Sequence, residues 1–337
     1  MDENYYRNAV RKAVSKGAEL LEQIEKGDLS QVRCDMSGNY DGGGIFDING
    51  KNRLLLARFL MWQDVLPDNA EELIAMLLKE EIAALRQDSF QGFGDGLTIL
   101  TALLYRYNDD GRYDGLFGQA KDANFDTFCG YEPDSCIKIL SESIDELSSI
   151  DCIYFLTDLG LFDEAGELAD KYTEDNPPLT ESDYKMLICI NNFLGRKQKN
   201  LPYYEAVADT ELEREDPWAV SSAFSNLIRA YIDIGEYDKA YIAMGRAREY
   251  LFRVSEWNEC GLGRNYFEFA AELVCAMPEK AESIWDEWRY FSVKFPDDMS
   301  VDCLNKHISA AEAVNDKEAA DIFSRALCRL MDKIRKK

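Results

Sequence analysis

The feature that most constrains this chain is a run of apolar residues at helical spacing, closed by a glycine. One stripe on a single helical face is formed by Phe224, Leu227, Ile228 and Tyr231. Gly235 follows as a helix stop. Similar stripes recur from about residue 96 onward, where strand-like alternation is nearly absent. The pattern therefore predicts helix after helix of about 12 to 18 residues, joined by short breaks.

A second helix follows Gly235 after a very short turn. It begins near Tyr237. Ala240, Met244 and Ala247 share one face of it, with small residues where a neighbouring backbone must come close. Two helices joined by so short a turn lie antiparallel. Neither apolar stripe is fully covered by a single partner, so each pair needs further pairs stacked beside it, and the chain is expected to be all-α.

These landmarks resemble the tetratricopeptide repeat. The clearest match consists of Phe224-x-x-Leu227-Ile228-x-x-Tyr231, Gly235-x-Tyr237 and Ala240-x-x-x-Met244. A second match consists of Ile153-x-x-Leu156, Gly160 to Ala165, Ala169 and Pro177. Weaker units surround Gly111 and Gly195, and the four glycines lie 49, 35 and 40 residues apart. The resemblance implies a right-handed α-solenoid of antiparallel helix pairs, irregular in repeat length, over residues 96–337.

The first 95 residues differ from this pattern. Amphipathic helices are predicted at 5–26, 54–66 and 70–86. A glycine-rich loop or hairpin is predicted at 34–52, between the first two of them. Terminal units of solenoids are usually atypical. Residues 1–95 are therefore predicted to form an N-terminal helical cap, and residues 96–337 the repeat array.

Charge is the strongest global signal, since 63 acidic residues stand against 38 basic ones and give a net charge of −25. Such a surface repels nucleic acids and anionic membranes, so neither is an expected partner. It attracts a cationic protein or peptide, which makes a basic partner the natural electrostatic complement. Simple solubility is the alternative explanation of the same charge.

The chain is expected to be cytoplasmic. It starts with acidic residues instead of a basic and apolar leader, and its longest apolar stretches, 54–62 and 97–105, are too short to span a bilayer. Nine cysteines are scattered without a Cys-x-x-Cys pair, which is neither a disulfide framework nor a zinc pattern. Reduced thiols in a reducing compartment fit this distribution best.

The sequence predicts no catalytic residues, no metal and no cofactor, and therefore a protein that is not an enzyme. Cys303 and the single histidine, His307, share a helical face, but an ordinary helix face is favoured over a nucleophile pair or half a zinc site. The segment 91–96 could cradle a phosphate, but a plain helix start is favoured. The segment 41–50 could hold a cation, but a turn is favoured.

Two further clusters leave alternatives open. The run 205–216 carries six acidic residues against the single Arg214. It is either a solvated helix end or an acidic landing strip for a basic partner. An aromatic cluster is formed by Trp285, Trp288, Tyr290 and Phe291. Core packing is its default interpretation, and an exposed ring would mark a contact surface.

In the tetratricopeptide family, the first helix of each pair lines a concave groove that grips a peptide or helix. Placing the motifs in that register gives the groove residues Tyr105, Asn108, Tyr154, Asp158, Lys185, Asn192, Arg229 and Asp233. Their aromatic, amide and charged groups suit hydrogen bonding to an extended backbone. The resemblance thus implies a non-catalytic protein- or peptide-binding scaffold or regulatory adaptor. The alternative is an acidic inhibitor or immunity-type protein that neutralises a basic enzyme such as a nuclease toxin.

Overall fold

A computed structural model describes residues 3–40, 43–89 and 92–335 of the chain. Within these ranges the regular structure is helical apart from one two-stranded hairpin, which confirms the all-α expectation. No helix in the described ranges is both long enough and apolar enough to cross a bilayer. The chain forms two compact units, Met1–Asn176 and Pro177–Lys337, and each is described by itself. The predicted border between residues 95 and 96 lies inside the first unit.

The first unit contains mostly short helices. They are α1 (Glu3–Ser15), α2 (Gly17–Glu25), α3 (Gly50–Met61), α4 (Ala70–Leu85), α5 (Asp95–Tyr105), α6 (Asp114–Lys121), α7 (Phe125–Gly130), α8 (Pro133–Cys136), α9 (Ser149–Asp158) and α10 (Phe162–Asp175). Two 3₁₀ turns, Ile137–Ser141 and Ile144–Glu146, lie between α8 and α9.

Helix α5 lies at the centre of the core of the first unit. It packs against α3, α4, α8 and the 3₁₀ turn that follows α8. Leu100 and Leu103 of α5 are fully buried in the same core as Leu56 of α3. Helix α9 packs against both α1 and α10. Residues on the two sides of position 95 therefore share one core.

A hairpin closes the glycine-rich segment 34–52. Strand β1 (Gly38–Asn39) pairs antiparallel with β2 (Ile45–Phe46), and Gly38 lies opposite Phe46. A Cβ atom on Gly38 would lie 2.6 Å from the Phe46 ring, so the close approach of the two strands requires glycine. Asp41 and Gly42, which begin the predicted cation segment, lie outside the described residues.

Polar contacts of Asp47 fix the chain on both sides of the hairpin. Oδ1 of Asp47 accepts the backbone N–H groups of Asp35 at 2.8 Å and of Asn49 at 3.0 Å. Arg53, which is only 1% exposed, pairs with Asp47 at 2.5 Å and with Glu81 at 2.8 Å. A buried guanidinium is stable only with such partners. The carboxylate of Asp47 is therefore occupied by a cation of the protein itself.

The second unit consists of longer helices. They are α11 (Glu181–Phe193), α12 (Leu201–Arg214), α13 (Pro217–Asp233), α14 (Tyr237–Leu251), α15 (Gly261–Ala276), α16 (Ala281–Ser292), α17 (Val301–Ala313) and α18 (Lys317–Arg335). The intervening 3₁₀ turns are Lys197–Asn200, Trp257–Glu259 and Pro296–Asp298.

Consecutive helices of the second unit pack as pairs, α11 with α12, α13 with α14, α15 with α16 and α17 with α18. Helix α15 also packs against α13 on one side and against α17 on the other. The first helices α13, α15 and α17 therefore lie side by side. Sequential packing of this kind is compatible with a helical repeat.

The signals in the sequence explain where the pair α13 and α14 begins and ends. Oδ1 of Asp216 caps α13 by accepting the N–H of Ala219 at 2.8 Å. Gly235 ends the same helix with a φ of +79°, a left-handed conformation that favours glycine. Phe224 and Ile228, which the spacing places on the apolar stripe, are both 0% exposed. This pair lies where the sequence predicts it.

Candidate functional site

A network of ion pairs links three neighbouring first helices of the second unit. Arg229 on α13 lies 3.0 Å from Glu268 and 3.0 Å from Glu272, both on α15. From the other side, Lys306 on α17 lies 2.6 Å from Glu268 and 3.0 Å from Glu272. We call Arg229, Glu268, Glu272 and Lys306 the charge ladder. Both cations share both carboxylates, so three helices are joined through two residues of the central one.

The charge ladder is half-buried, which strengthens its ion pairs relative to fully solvated ones. Burial alone would lower the pKa of Arg229, but the carboxylates of Glu272 and Glu268 raise it. Burial alone would raise the pKa of Glu268, but the hydrogen bond from Lys306 lowers it. Arg229 and Glu268 are therefore held in their charged forms.

A polar cleft opens beside the charge ladder and has a volume of about 240 Å³. Its polar lining consists of Asn192, Lys197, Tyr204, Asn226, Arg229 and Asp233. We call it the α11–α13 cleft after the helices that supply its first and last residues. A further hollow of about 390 Å³ runs along the turn 195–199 and shares Lys197 and Asp233 with this cleft. Amide, hydroxyl and charged groups therefore face one space.

Buried Asn200 orients an amide at the rim of the α11–α13 cleft. Asn200 is 0% exposed, and its Nδ2 donates to the Ile188 carbonyl at 3.2 Å and to Oδ1 of Asn192 at 2.8 Å. With its oxygen engaged, Asn192 keeps its NH₂ group as a donor. Asn226 is exposed, and within the described ranges its side chain has no hydrogen-bond partner. The cleft therefore offers amide groups to a ligand.

A second cleft, of about 500 Å³, lies on the other side of the charge ladder. It is lined by Tyr237, Ala271, Glu272, Cys275, Ala276, Asn305, Lys306 and Ser309. We call it the α15–α17 cleft. The small side chains on α15 leave room between this helix and α17. Since Arg229 lines one cleft while Glu272 and Lys306 line the other, the charge ladder forms a wall of both. We call the surface that runs from the α11–α13 cleft, across the charge ladder, to the α15–α17 cleft the first-helix surface.

Three of the four residues that the sequence predicts for the groove in the second unit meet at the α11–α13 cleft. They are Asn192, Arg229 and Asp233. Asp233 lies 3.9 Å from Arg229. Lys185 does not line this cleft, because its side chain pairs with Glu181 one turn earlier on α11.

In the first unit, the predicted residues Tyr105 and Asn108 have local partners. The Tyr105 hydroxyl donates to Asp134 on α8 at 2.9 Å. Nδ2 of Asn108 donates to Asp114 at 2.8 Å, and its Oδ1 accepts the N–H of Tyr113 at 2.7 Å. The Asn108 bonds close the turn between α5 and α6. Both side chains therefore stabilise the fold of the first unit.

Tyr154 and Asp158, the other two predicted residues of the first unit, lie on α9. Burial and the nearby Asp95 raise the pKa of Asp158, whereas Arg58 opposes that rise. The Arg58 guanidinium pairs with Asp95 and lies 5.2 Å from the centre of the Phe155 ring. Asp158 therefore belongs to a charged cluster that connects α9 with α3 and α5.

Cys303 and His307 lie one turn apart in the core of the second unit. His307 is 1% exposed, and its Nδ1 donates to the Cys303 carbonyl at 2.8 Å. Burial lowers the pKa of His307 to about 4 and raises the pKa of Cys303 to about 12. A nucleophilic pair needs a thiolate beside an imidazolium. Burial favours the opposite protonation states, which fits the interpretation as an ordinary helix face.

The aromatic cluster is divided between core and surface. Trp285 and Trp288 are 5% and 3% exposed, and Nε1 of Trp285 donates to Asp316 at 3.0 Å. Tyr290 is 59% exposed, and its hydroxyl accepts a hydrogen bond from Lys294 at 2.5 Å. The tryptophans therefore follow the core-packing interpretation, whereas Tyr290 lies on the surface.

Four of the six acidic residues in the run 205–216 have partners within the protein. Glu205 accepts the Tyr231 hydroxyl at 2.5 Å. Glu211 pairs with Arg214 at 3.2 Å, and Asp216 is the cap of α13 described above. Asp209 pairs with Arg246 on α14 at 3.2 Å, and the exposed Glu213 and Glu215 remain available to solvent or to a basic partner.

Reasoning from the sequence missed Glu268, Glu272 and Lys306. The motif register reaches α13, whereas the segments that form α15 and α17 match the repeat only loosely. The signal present in the sequence is that the charge changes sign from one first helix to the next, from Arg229 on α13 to Glu268 and Glu272 on α15 and to Lys306 on α17. That signal becomes visible only when the packing of the three helices fixes which residues lie opposite one another.

Comparison of the chain with protein-family models and with curated proteins found no match. The tetratricopeptide resemblance therefore rests on the landmarks in the sequence, and the sequential packing of the helix pairs is compatible with it. What the first-helix surface can bind follows from its own geometry.

Proposed function

We propose that the protein is a non-catalytic scaffold or adaptor that holds an extended polypeptide on the first-helix surface of its second unit. The finer structural expectation, a right-handed tetratricopeptide-like solenoid with a concave groove, belongs to the same proposal. The observation that carries it is the charge ladder with an open polar cleft on each side.

An extended polypeptide presents unpaired backbone N–H and C=O groups that need fixed partners. The amide side chains of Asn192 and Asn226 supply donors and acceptors at the α11–α13 cleft, and Asn305 does so at the α15–α17 cleft. The charge ladder holds the helices between them in one arrangement. A surface ordered in advance loses less conformational entropy on binding, which favours affinity.

The cations of the charge ladder also suit binding better than proton transfer. The pKa of Lys306 is raised, because hydrogen bonds from Lys306 to Asp302, Glu268 and Glu272 outweigh the lowering caused by burial. The pKa of Arg229 is raised as well. A general acid or base works best when its pKa lies near the working pH. The pKa values of Lys306 and Arg229 are both shifted away from the working pH.

The proposal is tested by selecting binders from a random-peptide display library on the full chain. Affinities of the enriched peptides are then compared for the wild type and for Asn226→Ala combined with Asn305→Ala. We expect a loss of about tenfold for the double variant, because each removed amide contributes on the order of 1 kcal/mol. Asn69→Ala is the matched control, at the exposed N-cap position of α4 in the first unit, where the side chain makes no capping hydrogen bond. Unchanged affinity in the double variant would place the guest elsewhere.

The net charge of −25 supports a second candidate, an acidic inhibitor that covers the active site of a basic enzyme such as a nuclease. The exposed Glu213 and Glu215 on and after α12 would contribute to such a surface. Association driven by net charge is fast and weakens steeply as the salt concentration rises. If the affinity for a basic nuclease does not change with the salt concentration, this candidate is wrong.

A further inference from the structure

One stretch of this acidic chain contains no acidic residue. The 21 positions between Asp183 and Glu205 carry four cations and no carboxylate, although 63 of the 337 residues are acidic. Three of the four cations, Arg196, Lys197 and Lys199, line the hollow that adjoins the α11–α13 cleft. Asp233 lines the same hollow, so the basic character of this end rests on the exposed Lys197, which lines both the hollow and the α11–α13 cleft.

The other end of the first-helix surface is locally acidic. Lys306 lies within 3.0 Å of three carboxylates, those of Glu268, Glu272 and Asp302. The Asp302 side chain is 73% exposed, so its charge also faces solvent. One cation therefore meets three anions beside the α15–α17 cleft. Arg229, which lies between the two ends, shares two of the same carboxylates.

We infer that the first-helix surface is electrically polarised and binds a dipolar peptide segment in one direction. The acidic group of the segment lies in the α11–α13 cleft, and its basic group lies at the α15–α17 cleft. This inference rests on the proposed function and specifies the chemistry and direction of the guest.

The chemistry of the α11–α13 cleft fits a carboxylate. Lys197 is an exposed ammonium group at the shared edge of the cleft and the hollow, and the amides of Asn192 and Asn226 line the same cleft as donors. Asp233, the acidic residue of this lining, is 3.9 Å from Arg229, whose charge is shared with Glu268 and Glu272, so the cation that remains for a guest carboxylate is Lys197. A guest cation placed here would face Lys197 instead, and such like-charge contacts reduce affinity.

The chemistry at the α15–α17 cleft fits a cation. An entering ammonium or guanidinium group would find Glu272 in the lining, and the exposed Asp302 lies outside the lining, one turn before Lys306 on α17. A guest carboxylate would add a fourth anion around Lys306, at the cost of like-charge repulsion. Reversing the guest therefore creates unfavourable contacts at both ends at once, which gives the surface a preference for direction as well as for composition.

The test uses enriched peptides from the display selection and synthetic versions in which every acidic residue is exchanged for lysine and every basic residue for glutamate. We expect the enriched peptides to carry acidic residues toward one end and basic residues toward the other. The charge-exchanged version should bind at least about tenfold more weakly. Enriched peptides without charge asymmetry, or equal affinity of both versions, would overturn the inference.

Charge reversal in the protein identifies the ends. Lys197→Glu combined with Asp302→Lys should invert the preference, so that the charge-exchanged peptide becomes the tighter binder. Lys317→Glu, an exposed lysine at the start of α18, is the control and should leave the preference unchanged. If the Asn226 and Asn305 variant weakens binding but charge reversal leaves the preference as it was, the guest lies on this surface and only the polarity is refuted. If neither set of variants changes binding, the proposed function fails as well.

Discussion

Glu272 shares one carboxylate oxygen between two cations, because its Oε1 lies 3.0 Å from Nη1 of Arg229 and 3.0 Å from Nζ of Lys306. The side chain is 18% exposed, so water has limited access to replace a lost partner. A single residue of α15 therefore joins the first helices of the pairs on both sides of it.

Replacing this carboxylate by an amide should destabilise the second unit. For Glu272→Gln we expect the free energy of unfolding to fall by about 1–3 kcal/mol, because two half-buried cations each lose a charged partner. Urea denaturation followed by circular dichroism measures the change. Glu249→Gln, an exposed position on α14, is the control and should stay within about 0.5 kcal/mol of the wild type. Equal stability of both variants would show that the ladder contributes little.

The same carboxylate should control the reactivity of Cys275. Burial, and after it the negative charge of Glu272, raises the pKa of the Cys275 thiol. Glu272→Gln removes the second cause, so the pKa falls and the thiolate fraction at pH 8 rises. Maleimide labelling of Cys275, followed by mass spectrometry of the peptides, should then become faster. Labelling of the exposed Cys328 on α18 should not change, and an unaltered rate at Cys275 would contradict the electrostatic coupling.

The sequence predicts the helix pair α13 and α14 well, because its signals are local. The apolar stripe with Phe224 and Ile228 fixes the buried face, and Gly235 fixes the helix end. The sequence does not predict the division of the chain between Asn176 and Pro177. The core that α3, α4 and α5 share depends on contacts between residues that are distant in sequence. Long-range packing of this kind has no local pattern.

The candidate site is predictable in part for the same reason. Asn192, Arg229 and Asp233 follow from the motif register, because that register fixes which helix face a residue occupies. Glu268 and Lys306 become part of the site through the lateral packing of α15 against α13 and α17. Arg229 and Lys306 lie 39 and 38 residues from Glu268, and because the repeat length is irregular, the motif does not fix which residues of neighbouring first helices lie opposite one another.

The buried histidine should make stability depend on pH. Burial lowers the pKa of His307 from 6.5 to about 4, so in acid the unfolded chain binds a proton that the folded chain does not. The contribution of neutral His307 to the free energy of unfolding is fully present above pH 6.5 and is lost as the pH falls toward 4. Between pH 7 and 5 this single group should reduce the free energy of unfolding by about 2 kcal/mol.

His307→Gln provides the control, because His307 is the only histidine of the chain. The variant is expected to start from a lower stability and to lose less of it between pH 7 and 5 than the wild type. Urea denaturation at several pH values in this interval gives both slopes. Parallel pH profiles for the two proteins would mean that His307 is not the group responsible.

Two glycines in adjacent segments should respond in opposite directions to the same substitution. Gly235 ends α13 at a φ of +79°, whereas Gly245 is an exposed residue inside α14. A Cβ atom at either position would contact only the adjacent residues and, for Gly245, the backbone of its own helix. Every other heavy atom lies more than 4 Å away, so crowding does not distinguish the two positions. The backbone conformation does. Gly235→Ala should destabilise the protein by about 1–2 kcal/mol, because an L-residue is strained in the left-handed region.

Gly245→Ala should instead stabilise the protein by about 0.5–1 kcal/mol, because alanine loses less backbone entropy on entering a helix. Chemical denaturation of the two variants beside the wild type measures both effects in one experiment. If both substitutions destabilise, then α14 does not hold Gly245 in an open helical position. If both stabilise, then Gly235 is not left-handed, and the end of α13 lies elsewhere.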